Sequence, residues 1–114
     1  MASPEPTLRV ILSPTAAGEL HGIWQWNAER YSPPHADTYL RYLKERIYDL
    51  ARLPTQSKTV SGRLDLRYAI IRRKAKGHGH LVVYRVNNKE IHVLHVFHSA
   101  QDWQTKLASE NPSQ

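Results

Sequence analysis

The stretch LRYAIIRRKAKGHGHLVVYRVNNKEIHVLHVFH, Leu66 to His98, decides the fold. In Leu66–Arg73 the row Leu66, Tyr68, Ile70 alternates with Arg67, Ala69, Ile71, which is the period of a strand. Ala75-Lys-Gly-His-Gly79 punctuates the run with glycine and reads as a turn. His80–Val86 (HLVVYRV) is then a second strand. Asn87-Asn88, a residue type that tolerates positive φ, reads as a tight hairpin turn into a third strand, Ile91–His98. Connections this short join antiparallel neighbours.

Upstream the period is helical. Ser13-Pro14 reads as an N-cap followed by proline at the first helical position. Ala16, Leu20, Ile23, Trp24 and Asn27 then recur at helical spacing, so residues 14–30 form one amphipathic helix. Ser32-Pro33-Pro34 repeats the signal, ending the first helix and capping a second along Ala36, Leu40, Leu43, Ile47 and Leu50. Pro54 stops that helix near Leu53. Ahead of both lies a short β-type run, Leu8–Leu12. Residues 55–64, rich in Thr, Ser, Gln and Lys, read as a loop, and Asp102–Leu107 as a short terminal helix. The expected fold class is α+β: a single domain of order β-α-α-β-β-β, with a helical hairpin packed on one face of a mostly antiparallel sheet. Its ordered core is expected over about residues 8–107, with flexible ends.

A chain of 114 residues fits one domain that can bury a small core without staples. It has no Cys, which excludes disulfides, zinc–thiolate sites and a thiol nucleophile. No apolar run approaches the ~20 residues of a membrane span, and Met1-Ala-Ser-Pro-Glu-Pro-Thr lacks the basic and apolar regions of a signal peptide. A cytoplasmic protein with no membrane partner is the expectation. The net charge of +6 is unevenly spread. Residues 1–57 carry six basic and six acidic groups; residues 58–89 carry nine basic groups against Asp65 alone; the tail from Glu90 sums to −2. The +8 block predicts a cationic face that draws polyanions or an acidic protein.

Conventional catalytic centres find little support. On a regular strand His95 points away from His92 and His98, and the latter two lie about 20 Å apart, so they cannot share an ion. His78 and His80 are too few for a closed site. No metal and no cofactor are expected. Lys76-Gly-His-Gly79 lacks the spacing of a phosphate loop, and Ser99 beside His98 has no third group. A metal-free ribonuclease needs a base, an acid and cations for the phosphorane. His98, Arg67, Arg73, Lys74 and Arg85 are of the right types. Equally, His98 closes a strand against the helices, and Arg67 and Arg85 pair with Asp65 and Asp102. On the helices, Tyr39, Tyr42 and Arg46 form a second line beside the apolar stripe, and Trp26 lies off the apolar face. Aromatics and Arg so placed are partner anchors or amphipathic cover for the core edge.

The ordered set resembles the RelE/ParE superfamily of type II toxin–antitoxin toxins over about residues 8–103. It comprises Ser13-Pro14-x-Ala16-x-x-Glu19-Leu20-x-x-Ile23-Trp24, Ala36-x-x-Tyr39-Leu40-x-x-Leu43, Leu50-Ala51-x-Leu53-Pro54, Leu66-Arg67, Val82-Val83-Tyr84-Arg85-Val86 and Val93-Leu94-x-Val96-x-His98-x-x-x-Asp102. The ending is similar to the ParE pattern V-x-H-x-x-R-D, with Gln101 where arginine is usual. The resemblance implies a growth-inhibiting toxin that forms a hetero-oligomer with a cognate antitoxin from a neighbouring reading frame. The ParE-like ending implies inhibition of DNA gyrase without enzymatic activity. A RelE-like toxin would instead act with the ribosome as an endoribonuclease on mRNA, using His98, Arg67 and Arg85. A third possibility is a non-toxic relic that keeps only antitoxin binding. The resulting expectations are target contacts at Arg67, Arg73, Lys74, Arg85 and His98, and antitoxin contacts at Trp26, Tyr39, Tyr42 and Arg46.

Overall fold

A computed structural model describes residues 8–54, 57–72, 79–99 and 102–110. The order is β1 (Arg9–Leu12), α1 (Pro14–Arg30), α2 (Pro33–Arg52), β2 (Lys58–Val60), β3 (Arg63–Ile71), β4 (His80–Val86), β5 (Glu90–His98) and α3 (Trp103–Glu110). The five strands form one sheet in the order β1-β5-β4-β3-β2. All neighbours are antiparallel except β1 and β5, which run parallel, and the helical hairpin carries the chain from β1 at one edge to β2 at the other.

Both helices begin where the Ser-Pro signals put them. Ser13 Oγ accepts the Ala16 N–H at 2.9 Å, and Ser32 Oγ accepts that of His35 at 3.2 Å. Each such cap is worth about 1 kcal/mol. Ser13 also donates to the Leu94 carbonyl at 2.9 Å, so the cap that starts α1 also anchors it to β5. Ala16 and Leu20 from α1 and Leu43, Ile47 and Ala51 from α2 bury against Ile71, Val82, Tyr84, Ile91, Val93 and Val96 of the sheet. Each large side chain buried there contributes about 1.5–3 kcal/mol. The opposite face carries a second apolar group, Val60, Leu66, Leu81, Val83 and Phe97, over which α3 lays Trp103 and Leu107. No helix among the described residues is long and apolar enough to cross a membrane.

Two expectations need correction. Residues 55–64 are not all loop: Lys58–Val60 is an edge strand and β3 starts at Arg63. Polar residues on this edge obscured the alternation, although Ser61-Gly62 marked the turn, with Gly62 at φ 80°. The histidine geometry also differs. The β4–β5 register slips between Val83 and Tyr84, which face His95 and Val93 and leave Leu94 as the extra residue of a bulge. His95 therefore shares a face with His92, while His98, opposite His80, stands on the helix side. The turn expected over Ala75–Gly79 lies outside the described residues up to His78. At Asn87 the side-chain oxygen accepts the N–H groups of Lys89 (2.9 Å) and Glu90 (2.7 Å), which fixes the β4–β5 turn.

Candidate functional site

His98 belongs to both the expected catalytic set and the expected target-binding set. It ends β5 opposite His80, and the two rings meet edge to face with centroids 5.4 Å apart. His80 Nδ1 lies 2.7 Å from the hydroxyl of Tyr39 on α2. Tyr39 stacks on Tyr42 at 6.3 Å, and the Tyr42 hydroxyl donates to the Arg72 carbonyl at 2.7 Å. The spacing explains the arrangement. Residues three apart on a helix are neighbours, and Tyr39 and Tyr42 sit beside the buried Leu43–Ile47 stripe, so they reach the rim of the sheet. Gly79 exchanges hydrogen bonds with Ser99, through its carbonyl at 2.9 Å and its N–H at 2.8 Å. A β-carbon at Gly79 would overlap the Ile71 carbonyl, so glycine is required where the chain enters β4.

Burial pushes His80 down to about 4, and the neighbouring His98 adds to the shift. The ring is neutral at pH 7 and can exchange one proton-bridged contact with Tyr39. The unfolded chain takes up the proton near the ordinary value of about 6.5, the folded chain only near 4. Stability from this group is therefore complete above about pH 6.5, falls as pH drops toward 4, and is flat below that. Between pH 7 and pH 4 the wild type should lose up to about 3 kcal/mol more unfolding free energy than His80→Gln, measured by urea titration. Equal losses in the two proteins would remove His80 from the acid response.

The other expected catalytic residues do not converge on His98. Arg67 stands on the helix side opposite Tyr84, four positions from His80, or about 13 Å along the strand. Its guanidinium donates to the Ser57 carbonyl at 2.8 Å. Arg85 is exposed and stands opposite His92, on the other face of the sheet. Asp65 binds Arg63 at 3.0 Å rather than Arg67, and that guanidinium holds its carboxyl below the usual range, with a smaller attraction from Arg85. Asp102 accepts the Thr105 N–H at 3.5 Å at the start of α3. Arg73 and Lys74 lie outside the described residues. Among the described residues no group of three His, Cys, Asp or Glu is placed to hold a metal ion.

The expected antitoxin contacts separate into two groups. Tyr39 and Tyr42 are half-buried and engaged at the sheet rim, and Arg46 pairs with Asp49 one turn on. Trp26 is 54% exposed at the tip of the hairpin. There Arg30 lies over the indole at 5.3 Å, Tyr31 meets it edge-on at 6.1 Å, and His35 packs on Tyr31 at 4.5 Å. Sequence reading did not place His80 or Arg72 in the site, nor Arg30, Tyr31 and His35 around Trp26 at the tip. The four-residue step from Trp26 to Arg30 was a signal for the last.

Residues 10–103 match the family model described as ParE toxin of type II toxin–antitoxin system, parDE. Among solved structures, a chain of the chromosomal ParDE toxin–antitoxin system from P. aeruginosa superposes with a TM-score of 0.67 at 20% identity, over 80% of this chain and 95% of that one. A chain of the YoeB dimer from Staphylococcus aureus gives a TM-score of 0.43 at 12% identity, over 81% and 97%. No curated protein matches the sequence.

Proposed function

The chain belongs to the ParE toxin family of type II toxin–antitoxin systems, and from that membership we propose that it inhibits DNA gyrase without enzymatic activity and is neutralised by a cognate antitoxin in the cytoplasm. One observation carries the non-enzymatic part: His98, Arg67 and Arg85 are divided between two faces and two ends of the sheet. RNA cleavage needs a base, an acid and a cation around one phosphate, at hydrogen-bond distance from the reacting atoms. A spread-out cationic scaffold suits the grip of a macromolecular target instead.

The target contact is proposed at the end of the sheet that carries His98, His80 and Arg72, with Arg67 on the same face and with Arg73 and Lys74, which follow Arg72 in the sequence. Arg85, across the sheet, is left out of it. The antitoxin contacts are proposed at Trp26, Tyr39, Tyr42 and Arg46, with Arg30 and Tyr31 added at the tip.

Purified protein at micromolar concentration is expected to stop supercoiling by gyrase and to leave mRNA intact on programmed ribosomes. The double variant His98→Ala/Arg72→Ala should need about tenfold more protein for half inhibition, a loss of about 1.4 kcal/mol. Cleaved mRNA with normal supercoiling would replace this reading by the ribosome-dependent endoribonuclease. No effect in either assay, with normal growth on expression, would leave an antitoxin-binding relic.

A further inference from the structure

Two tyrosines of α2 tie the helix to the end of the sheet where His98 stands. The Tyr42 hydroxyl holds the Arg72 carbonyl just after β3, and the Tyr39 hydroxyl holds His80 Nδ1 at the start of β4, each at 2.7 Å. The Tyr39 ring also lies against the His80 imidazole, with centroids 5.6 Å apart. His80 is therefore fixed from the helix side both by a hydrogen bond and by a ring contact.

His80 in turn meets His98. Ser99 donates its N–H to the Gly79 carbonyl at 2.9 Å, so residues 80 and 98 form a non-hydrogen-bonded pair, the kind whose side chains stand closest. The two imidazole planes cross at 84° with centroids 5.4 Å apart. The Gly79 N–H donates to Ser99 Oγ at 2.8 Å, which ties the strands together beside the pair. His80 is half-buried and His98 is exposed. Burial keeps the His80 ring neutral at pH 7, so the two rings lie in contact without like-charge repulsion. An exposed side chain loses rotamer freedom when a partner immobilises it, and a neighbour that holds it beforehand removes part of that cost.

We propose that Tyr39 and His80 are positioning residues for His98: Tyr39 locks the His80 ring, and that ring holds the His98 imidazole in the orientation that meets the target. The inference rests on the reading of His98 as a target contact. Both residues act through His98, and this role is separate from the antitoxin contact proposed for Tyr39.

The test is a double-mutant cycle on half-inhibition of gyrase supercoiling, with no antitoxin present. Tyr39→Phe removes the hydroxyl alone. His80→Asn keeps a polar partner for that hydroxyl but has no ring to set against His98. Each should raise the half-inhibiting concentration about threefold, and neither should change it further in a His98→Ala background. In the free protein, Tyr39→Phe should also move the His98 ring resonances in proton–nitrogen spectra, a readout that needs no gyrase. A second threefold loss on top of His98→Ala would show that the two residues act on the fold and not through His98. Single variants that match wild type, or unmoved His98 resonances, would overturn the positioning and leave the toxin reading standing. Wild-type inhibition that survives His98→Ala unchanged would remove His98 from the target contact, and the proposal with it. Supercoiling untouched by the wild type would overturn the gyrase reading, while the His98 resonances would still decide whether Tyr39 and His80 hold the ring.

Discussion

Tyr84→Ala is expected to lower the unfolding free energy by about 4 kcal/mol, and Tyr84→Phe by about 1–2 kcal/mol. Tyr84 has no exposed surface and sits mid-sheet under the hairpin. Truncating so large a buried ring removes its burial and leaves a cavity, for about 3–5 kcal/mol. The hydroxyl adds a second, separable role. It donates to the Pro54 carbonyl at 2.8 Å and is hydrogen-bonded to Ser57 Oγ, while Arg67, its cross-strand neighbour, donates to the Ser57 carbonyl. Burial raises the phenol above its ordinary value, so the donating form holds throughout the neutral range. These bonds clip the chain just after α2 and just before β2 onto the sheet. Domains of this size hold about 5–15 kcal/mol in all, so the Ala variant should be near its limit in a urea titration at 25 °C. Equal costs for the two variants would mean that the hydroxyl dominates and the ring packs loosely. A cost below about 1.5 kcal/mol for Ala would contradict the core as described.

Glu19→Ala is expected to cost about 2–3 kcal/mol, with Glu19→Gln retaining about half of that. β1 pairs only with residues Glu90 to Val93 of β5, so the edge of β5 beyond that point has no strand beside it. Side chains of the α1 segment take over. Ser13 serves Val93 and Leu94, and Glu19 accepts the Val96 N–H at 2.8 Å. The other oxygen of the same carboxylate lies 3.2 Å from His95 Nδ1, in a ring that is only 6% exposed and stacked on Phe97 at 4.5 Å. Alanine removes the carboxylate that accepts the Val96 N–H and lies against the His95 ring, and the amide restores one of the two contacts. Thermal unfolding together with exchange of the Val96 amide reads both effects. A protected Val96 amide in Glu19→Ala would show that the edge is sealed by something else.

Local chemistry made much of this architecture legible. Ser13-Pro14 and Ser32-Pro33 start the helices by a mechanism contained within four residues, so both starts could be read directly. His80–Val86 is a short apolar, β-branched run buried on both faces and bounded by glycine and asparagine, which marks β4. The failures were tertiary. Nothing in the apolar run of β5 marks Leu94 as a bulge, because both of its neighbours suit a strand, yet that one residue moves His95 to the other face. The contact of Tyr39 with His80 spans 41 residues and depends on where α2 crosses the sheet rim. The charge block was read correctly as a block but could not be divided by face. Register alone separates Arg67, under the hairpin, from Arg85 and Lys58, on the far side. Glu19 stood out only as part of the family pattern, and its work at the β5 edge needed the strand order.

We propose that this chain of the ParE toxin family, with His98, Arg67 and Arg85 dispersed over the sheet, acts by binding gyrase and not by catalysis. The most direct measurement is ATP-dependent supercoiling of relaxed plasmid by purified gyrase, titrated with this protein from nanomolar to tens of micromolar. Inhibition that saturates near a fixed ratio of protein to gyrase, and that the adjacent-frame antitoxin reverses, is the expected result. Undiminished supercoiling at tens of micromolar protein would contradict it.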